Sequence, residues 1–445
     1  MEASFLQVLI SLFLGIALII LLTARFRVHA FFALTIACFT VGAGAGLPVP
    51  EIIDSIKEGF GNIMKSLGFI IVLGTTLGVV LEHTGSTAVM ANYILKKINP
   101  RYSALAMSIT GFIVGLPIFC DSGYIVLSGL NNSLARRTGI SVVVMSVSLA
   151  TGLYSVHCFV PPHPGIAATA GIVGVDYGKL ILLGGLIAIT GALTGYLWAS
   201  YAGRKIVNAD QEEVAAAPVT AVQPSVLNSF LPIVLPIALI AAKSFFLMGS
   251  PTDALSVWEK LLSATGDPVT ALAIGVLLAF NGARSWKKDT IGKLFNEAVE
   301  KAGSILVIIG AGGAFGAVLQ ATHVGEHFGA SLPLAGLGIV FPFLLTVVLK
   351  TALGSSTVAV ITAASVTVPL LPALGLDTET GKLMCVLSMA AGSMMISHAN
   401  DAYFWVISRF SKLDLKTMLK VYTVSTILMG LVSFILVYLL SLILL

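Results

Sequence analysis

The sequence predicts an all-α membrane protein made of two repeats with opposite orientations in the bilayer. Three observations carry this prediction: an apolar composition, a series of long apolar runs, and motifs that recur in the same order at a nearly constant spacing. Hydrophobic residues make up 57% of the 445 residues and charged residues only 10%, whereas soluble domains contain about 25% charged residues. So few polar side chains cannot cover a water-facing surface, and lipid must therefore be the solvent.

The spanning helices are predicted from the apolar runs, because a helix needs about 20 mostly apolar residues to cross a bilayer. The run from Phe5 to Leu22 has no basic segment before it and no small-residue cleavage pattern after it, so we expect a first membrane helix rather than a signal peptide. The clear candidates are 4–24, 28–47, 63–82, 179–201, 226–247, 268–283, 303–320 and 419–445. The stretch 203–224 is charged and contains two prolines, and we interpret it as a linker outside the membrane.

Three short motifs recur in the second half of the chain. The matched pairs are Gly74–Gly85 with Gly310–Gly325, Ala150–Gly152 with Ala390–Gly392, and the segment at Asp176 with that at Asp414. Their spacings are 240, 240 and 238 residues (325 − 85, 392 − 152, 414 − 176). Small residues are common in membrane helices, so chance likeness is the alternative, but three matches in order favour an internal repeat. The predicted units are repeats 1–202 and 225–445, joined by the linker 203–224.

The charged loops give the orientation of each repeat, because cytoplasmic loops carry an excess of Lys and Arg. In the first half the cations lie at Arg25, Arg27, Lys96, Lys97, Arg101, Arg136 and Arg137. In the second half the corresponding loops are not basic, and the cations lie instead at Arg284, Lys287, Lys288, Lys293, Arg409, Lys412, Lys416 and Lys420. Every loop therefore changes side between the halves, which predicts both termini outside the cell and a cytoplasmic linker.

Each repeat also contains apolar runs that are too short to span the bilayer comfortably. The runs in 103–135 and 334–373 begin and end on the same side and turn at polar residues, which predicts two re-entrant helical hairpins. Behind each hairpin we expect a broken helix, over 141–176 and 382–408. Three prolines and a glycine interrupt the first, and Asn400-Asp401 interrupts the second. Opposed repeats with paired interruptions are typical of secondary transporters, which bind their substrate at the interruptions.

The hairpin tips and helix breaks therefore supply the candidate site. The N-termini of half-helices offer free N–H groups and a partial positive charge, which suit an anionic ligand. We predict that the substrate is contacted by Ser122, Gly123, His157, Lys350, Gly354, Ser355, Ser356, Thr357 and Asn400. Lys350 has an alternative, in which its side chain reaches along the helix to the membrane interface.

Proton coupling is predicted for the ionisable residues at the same interruptions, since an ionisable group inside the bilayer usually has a function. The candidates are Asp121, Asp401 and His157. Either aspartate could instead cap a helix, and Asp121 could hold a cation. His157 and His163 could bind the backbone carbonyls that the Pro-rich break frees, and for His163 we prefer this interpretation.

Other functions receive less support from the sequence. There is no basic patch with interleaved aromatic residues, so we expect no nucleic acid partner. The four cysteines are scattered through apolar segments without metal-ligand spacing, and we expect no metal and no cofactor. An intramembrane metal hydrolase using His157, His163, His398 and Asp401 is one alternative, but no His-Glu-x-x-His pair is present. A channel is another, because re-entrant hairpins also build pores.

Three motifs resemble those of the gluconate permease (GntP) family, and the likeness covers essentially the whole chain. His157-Cys-Phe-Val-Pro-Pro-His-Pro-Gly165 is similar to that family's His-x-x-x-Pro-Pro-His-Pro-Gly motif, and Ser397-His-Ala-Asn-Asp-Ala-Tyr-Phe-Trp405 to its Ser-His-Val-Asn-Asp-x-x-Phe-Trp motif. The run from Gly354 resembles its Gly-Ser-Ala-Thr-Val-Ala stretch. The sequence departs from the family at two site positions, with Asp121 where many members have Glu and Lys350 where many have Arg.

The resemblance implies a proton-coupled importer of small hydroxy or amino acids in a bacterial inner membrane, and not an enzyme. Family substrates include gluconate, other sugar acids, glycerate-like acids and D-serine. The family is similar to the ion-transporter superfamily, whose members work as dimers with a scaffold and a moving elevator domain. The resemblance therefore implies a homodimer in which the hairpins and broken helices move together.

Overall fold

The computed structural model describes residues 4–97, 99–204, 206, 224–246, 256–282, 286, 288–324 and 336–445. Most of the predicted linker 203–224 lies outside the described residues. So do Arg284 and Lys287 of a predicted cytoplasmic loop, and the start of the predicted hairpin 334–373.

The regular structure of the described residues is helical. The first half contains α1 (Phe5–Ile20), α2 (Ala30–Gly44), α3 (Val49–His83), α4 (Ser86–Lys97), α5 (Ser103–Gly115), α6 (Cys120–Thr138), α7 (Val142–Phe159), α8 (Pro164–Val173) and α9 (Tyr177–Ala202). The second half contains α10 (Val226–Phe246), α11 (Val257–Thr265), α12 (Pro268–Ala279), α13 (Lys288–Ala321), α14 (Val340–Leu353), α15 (Ser356–Thr367), α16 (Glu379–Met394), α17 (Ala402–Phe410) and α18 (Val424–Leu444).

Length and hydropathy make the chain a multi-pass membrane protein, as predicted. Within the described ranges, seven helices are long and apolar enough to cross a bilayer. An eighth span is possible if α11 and α12, which meet at an angle of 70°, act together.

Two helices are much longer than the apolar runs that predicted them. α3 has 35 residues and α13 has 34, although only 63–82 and 303–320 were expected as spans. The charged stretches before these runs continue the helix because one face of them is buried, with Ile52 and Gly59 on α3 and Leu294 and Ala298 on α13, and tertiary packing supplies most helical stability in proteins. Pro48 and Pro50 occur only at the start of α3, where proline is tolerated. The two long helices pack closely against each other, and a Cβ added at Gly313 would lie 2.7 Å from the carbonyl oxygen of Gly59.

Each half contains a pair of short helices followed by an interrupted helix. The pairs are α5 with α6 and α14 with α15, and they match the predicted hairpin ranges 103–135 and 334–373 except that α6 continues to Thr138. The first interrupted helix consists of α7 and α8, separated by residues 160–163, and the second of α16 and α17, separated by residues 395–401. Pro161 and Pro162 have no backbone N–H, so the first helix cannot continue through them.

The core of the molecule lies along α7 and α16. Every residue of α7 is buried, and α16 is buried along most of its length. A glycine on each lets the first arm of its own helix pair approach closely. Gly152 of α7 faces the carbonyl oxygen of Ser108 on α5, and a Cβ added at Gly392 of α16 would lie 2.7 Å from the carbonyl oxygen of Phe343 on α14. The two glycines belong to one of the motif pairs separated by 240 residues.

The second arms of the helix pairs cross to the opposite half. α15 packs on α8, where a Cβ added at Gly165 would lie 3.0 Å from the Cα of Thr357. α6 packs on α17, and the Tyr124 hydroxyl lies 2.5 Å from that of Ser411 at the end of α17. This crossed packing brings the beginnings of four helices, α6, α8, α15 and α17, to the centre of the molecule.

Candidate functional site

A cavity of about 350 Å³ lies where these four helices begin. It is lined by the first residues of α6, α8, α15 and α17, and by Ile305 and Ile308 of α13. The first N–H groups of a helix have no partner within it, and the helix dipole places a partial positive charge at that end. Four such ends facing one cavity favour an anionic ligand.

The tip of the second helix pair offers the densest set of donors. Ser355 is the N-cap of α15, and its hydroxyl accepts a hydrogen bond from the backbone N–H of Val358, at 3.3 Å. Ser356 and Thr357, which carry further hydroxyl and N–H donors of the first turn, also line the cavity. Hydroxyl and backbone N–H donors of this kind suit a carboxylate.

The tip of the first helix pair brings a carboxylate to the same cavity. Asp121 lies in the first turn of α6, and the N-cap position, Phe119, provides no side-chain cap. The Cys120 thiol, a weak donor, lies 4.0 Å from one oxygen of Asp121. No basic side chain pairs with Asp121 in the part of the chain that the structure describes.

The Pro-rich break gives its two histidines different surroundings. His157 lines the cavity and stacks on Tyr154, with the ring centroids 6.3 Å apart. Its Nδ1 is buried without a hydrogen-bond partner among the described residues. His163 Nε2 lies 2.7 Å from the carbonyl oxygen of Gly115, at the end of α5. The expected kind of partner for His163, a backbone carbonyl, is therefore found, but this carbonyl belongs to the end of α5 and not to the Pro-rich break.

The second break contains a buried ion pair. The Lys350 ammonium donates to one oxygen of Asp401 at 2.8 Å and to the carbonyl oxygen of Gly354 at 2.6 Å. The same Asp401 oxygen accepts from the Ser397 hydroxyl at 2.5 Å, and the other accepts from the backbone N–H of Tyr403 at 3.0 Å. Asp401 thus caps α17 and neutralises Lys350 at once. Because Lys350 is fully buried, the alternative in which it reaches the membrane interface is wrong.

Most of the predicted site residues meet at this cavity. Those that line it are Asp121, His157, Gly354, Ser355, Ser356, Thr357, Asn400 and Asp401. Ser122, Gly123 and Lys350 are not among its lining residues. Gly123 faces the side chain of Leu153, which a Cβ would approach to 2.7 Å.

Asn400 is partly engaged elsewhere. Its amide nitrogen donates to the carbonyl oxygens of Thr351 and Ala352, at 2.8 and 3.3 Å, and therefore caps the end of α14. Its side-chain oxygen accepts no hydrogen bond from the residues that the structure describes, so it is the atom of Asn400 that a ligand could engage.

Sequence reasoning missed two tyrosines and two isoleucines in the cavity wall. Tyr154 and Tyr403 pack with their ring centroids 5.7 Å apart, and each hydroxyl donates to a buried carbonyl oxygen, of Ser393 and Ala150 respectively. Tyr403 lies within the motif around Asn400-Asp401, which could have identified it. Ile305 and Ile308 lie in an ordinary apolar run, where no sequence feature distinguishes them.

Comparison with known proteins gives matches over nearly the whole chain. The family model described as GntP family permease matches residues 7–443. A gluconate permease of Pseudomonas aeruginosa is 34% identical over 440 residues, covering 96% of each chain. The D-serine transporter DsdX of Escherichia coli is 29% identical over 439 residues, covering 97% of each chain.

Solved structures show a similar fold. The YdaH transporter of Alcanivorax borkumensis superposes with a TM-score of 0.66 at 14% identity, covering 93% of this chain and 98% of that one. MtrF of Neisseria gonorrhoeae gives the same TM-score at 15% identity, covering 94% and 96%.

The family match confirms the resemblance found in the three motifs and the prediction of transport rather than catalysis, and the intramembrane hydrolase is set aside. The chain belongs to the GntP family of permeases and is a multi-pass membrane transporter.

Proposed function

We propose that this permease imports a small organic acid, gluconate or a related sugar or hydroxy acid, together with protons across the bacterial inner membrane. The observation that carries the proposal is the central cavity, where four helix N-termini face an aspartate without a cationic partner among the described residues. Its volume of about 350 Å³ lies at the lower end of the range of about 300–1,000 Å³ for small-molecule sites.

The substrate carboxylate would bind at the tip of the second helix pair. There the N–H groups of α15, the hydroxyls of Ser356 and Thr357, and the side-chain oxygen of Asn400 border the cavity. The N–H and hydroxyl groups would hold the carboxylate, while the amide oxygen and His157 would bind substrate hydroxyls. Lys350 would not contact the substrate, because its ammonium is already bonded to Asp401. It would affect the site through Asp401, which lines the cavity.

Asp121 would carry the coupling proton. The titratable groups around it in the cavity are Cys120, His157, Tyr154, Tyr403 and Asp401. Of the two aspartates, Asp401 has the Lys350 ammonium at 2.8 Å, whereas the side-chain partner of Asp121 among the described residues is the Cys120 thiol. A carboxylate without a counter-ion in the membrane interior is costly, and binding an anion beside it raises that cost. Protonation of Asp121 would therefore accompany substrate binding.

Uptake into proteoliposomes tests this function. The purified protein should accumulate labelled gluconate, or a related acid, when the outside is made acidic, and a protonophore should abolish the accumulation. If the uptake of every candidate acid is independent of the pH gradient, the proposed proton coupling is wrong. Single-channel currents would favour a pore instead.

D-Serine or another D-amino acid is the second candidate substrate. The similarity to DsdX extends over 97% of the chain, and Asp121 could accept a hydrogen bond from a substrate ammonium group at the opposite end from the carboxylate. A thermal-shift screen of sugar acids, hydroxy acids and D-amino acids separates the two classes, since a ligand that binds only the folded protein raises its melting temperature.

The proposed cycle uses two repeats of inverted topology and an elevator movement within a homodimer, with both termini outside the cell. Two helix pairs and two interrupted helices surround the cavity, while α3 and α13 form a long pair of their own. Ile305 and Ile308 of α13 complete the cavity wall, so a substrate would lie at the boundary between a moving body and a scaffold. The matched glycines Gly152 and Gly392 support the repeat.

A further inference from the structure

The Lys350 ammonium lies in surroundings that would also suit a metal cation. Its side chain is fully buried, and its partners are oxygens, the carbonyl of Gly354 at 2.6 Å and the carboxylate of Asp401 at 2.8 Å. The C-terminal ends of interrupted helices and unwound backbone carbonyls are the groups that hold Na⁺ in many transporters. Gly354 lies at a comparable C-terminal end, since it terminates α14, the first arm of the second helix pair, with a φ of +79°.

The neighbouring carbonyls at this helix end already have hydrogen-bond partners other than the ammonium. Asn400 donates to Thr351 and Ala352, and His398 Nε2 lies 3.1 Å from the Thr351 oxygen. The ammonium therefore donates its hydrogen bonds to the Gly354 carbonyl oxygen and to the carboxylate of Asp401. A helix C-terminus also carries a partial negative charge, so this position favours a cation.

The same charge pair ties the tip of the second helix pair to the rest of the molecule. Ser397 donates through its hydroxyl to Asp401, at 2.5 Å, and accepts at its carbonyl from the Thr423 hydroxyl, at 2.6 Å. Its backbone N–H donates to the Thr426 hydroxyl at 3.1 Å. Lys350 thus joins the end of α14 to the second break and, through it, to the start of α18.

We propose that the Lys350 side chain is a tethered cation that occupies a monovalent-cation site at the tip of the second helix pair, neutralises Asp401 and holds the tip in place without a bound metal ion. Lys350 is then a positioning residue and does not contact the substrate. Removal of its side chain beyond Cβ leaves an anionic pocket with the shape of propylammonium, which Na⁺ or an alkylammonium ion can enter.

Thermal unfolding of the purified protein in detergent tests this inference. Wild-type protein should melt at the same temperature in the chlorides of choline, sodium and propylammonium at equal ionic strength. Lys350→Ala should melt lower in choline, because it leaves Asp401 buried without a counter-ion. Sodium or propylammonium should raise its melting temperature by about 3–5 °C, since a cation that binds only the folded state stabilises it. Lys350→Arg, which keeps the charge, should show no such response.

The double variant Lys350→Ala/Asp401→Asn keeps the test decisive if Lys350→Ala does not fold. Removal of both charges should restore a folded protein whose melting temperature is insensitive to the cation. The inference is overturned if the double variant is no more stable than Lys350→Ala, or if sodium raises the melting temperature of the wild type. It is also overturned if Lys350→Ala folds and its melting temperature does not change with the cation. None of these measurements involves transport. A result that contradicts the role of Lys350 therefore leaves the proposed symport untested, and a result that contradicts symport leaves the role of Lys350 untested.

Discussion

Asp121 is the residue on which proton coupling is expected to depend. Asp121→Asn keeps the shape of the side chain but cannot release a proton, so we expect pH-driven accumulation of substrate to be lost. Exchange of internal for external substrate needs no net proton movement and should survive. The measurement is uptake into proteoliposomes under an imposed pH gradient, alongside counterflow without a gradient.

Asp54→Asn is the matched control for this variant. Asp54 is exposed on α3, and its partner within the described part of the chain is the exposed Lys57, at 3.5 Å, so its loss should change neither assay. If Asp121→Asn accumulates substrate like the wild type in response to the pH gradient, the coupling proton does not reside on Asp121.

Ser356 and Thr357 are expected to determine affinity rather than coupling. Ser356→Ala or Thr357→Ala should each weaken substrate binding by about 10–100-fold, because a hydrogen bond to a charged group contributes about 1.5–3 kcal/mol. Binding is measured by titration of the purified protein. Ser365→Ala on the same helix, whose hydroxyl bonds the carbonyl of Ile361 at 2.9 Å, should bind as the wild type does. Unaltered affinity in the first two variants would mean that this tip only gates the cavity.

Individual side-chain partners are the part of the site that the sequence predicted least well. Asp121, Ser356 and Thr357 could be identified because polar residues at an interruption inside an apolar stretch are conspicuous. The pairing of Lys350 with Asp401 could not, since the two residues are 51 positions apart and the approach of α14 to the second break decides it. From its position alone, Lys350 could contact the substrate or extend to the membrane interface. Neither interpretation included Asp401, an ion-pair partner from the same half of the chain.

At the scale of elements, the helix ends position the site and the glycines allow the helices to reach it. α7 and α16 could not approach α5 and α14 as closely if their contact residues had a Cβ. Gly152→Ala would place a methyl group against the Ser108 carbonyl, and Gly392→Ala would place one 2.7 Å from the Phe343 carbonyl. Contacts of this kind with rigid backbone force a helix to move.

We therefore expect Gly152→Ala and Gly392→Ala to lower the melting temperature, with a loss of about 1–3 kcal/mol typical of overpacking. Differential scanning fluorimetry of the purified variants checks this expectation. Gly185→Ala on α9 is the control, because an added Cβ meets nothing within 4 Å there. Helix propensity should make that variant equally or slightly more stable than the wild type. Wild-type stability of both core variants would contradict the close crossing.

The elements could be predicted where apolar runs or prolines define them, and less well where charged residues continue a helix. The breaks at Pro161-Pro162 and at Asn400-Asp401 were predicted from residue types that leave a helix or cap one. The extension of α3 and α13 beyond 63–82 and 303–320 could not be predicted from hydropathy, because the added turns carry charged residues and only one face of them is buried.

At the scale of the whole molecule, the two halves have similar arrangements of helices but differ in the charged residues at the helix breaks. In the first half a histidine, His163, lies against the carbonyl at the end of α5. In the second half an ammonium and a carboxylate, Lys350 and Asp401, join the end of α14 to the break. Asp121, which has no basic partner among the described residues, belongs to the first half, and the hydroxyl-rich tip at Ser356 belongs to the second. The residues proposed for coupling and for anion binding therefore come from different halves of the chain.

Inverted topology makes a prediction that a parallel repeat does not. Arg137 and Asp377 are 240 positions apart (377 − 137), and each is exposed just before an interrupted helix. If the halves are inverted, these residues lie on opposite sides of the membrane, with Arg137 in the cytoplasm. We therefore expect Asp377→Cys to react with a membrane-impermeant maleimide in intact cells, and Arg137→Cys to react only after permeabilisation.

The native cysteines must not obscure this result. The background for both variants is a protein in which Cys38, Cys120, Cys158 and Cys385 are replaced by alanine or serine. All four are buried, so their reaction should be slow even where they are retained. Transport activity of each variant shows that it is inserted in the working orientation. Equal labelling of the two positions in intact cells would place them on one side of the membrane. The repeats would then be parallel. Inverted symmetry could then no longer explain how the protein changes between inward-facing and outward-facing states.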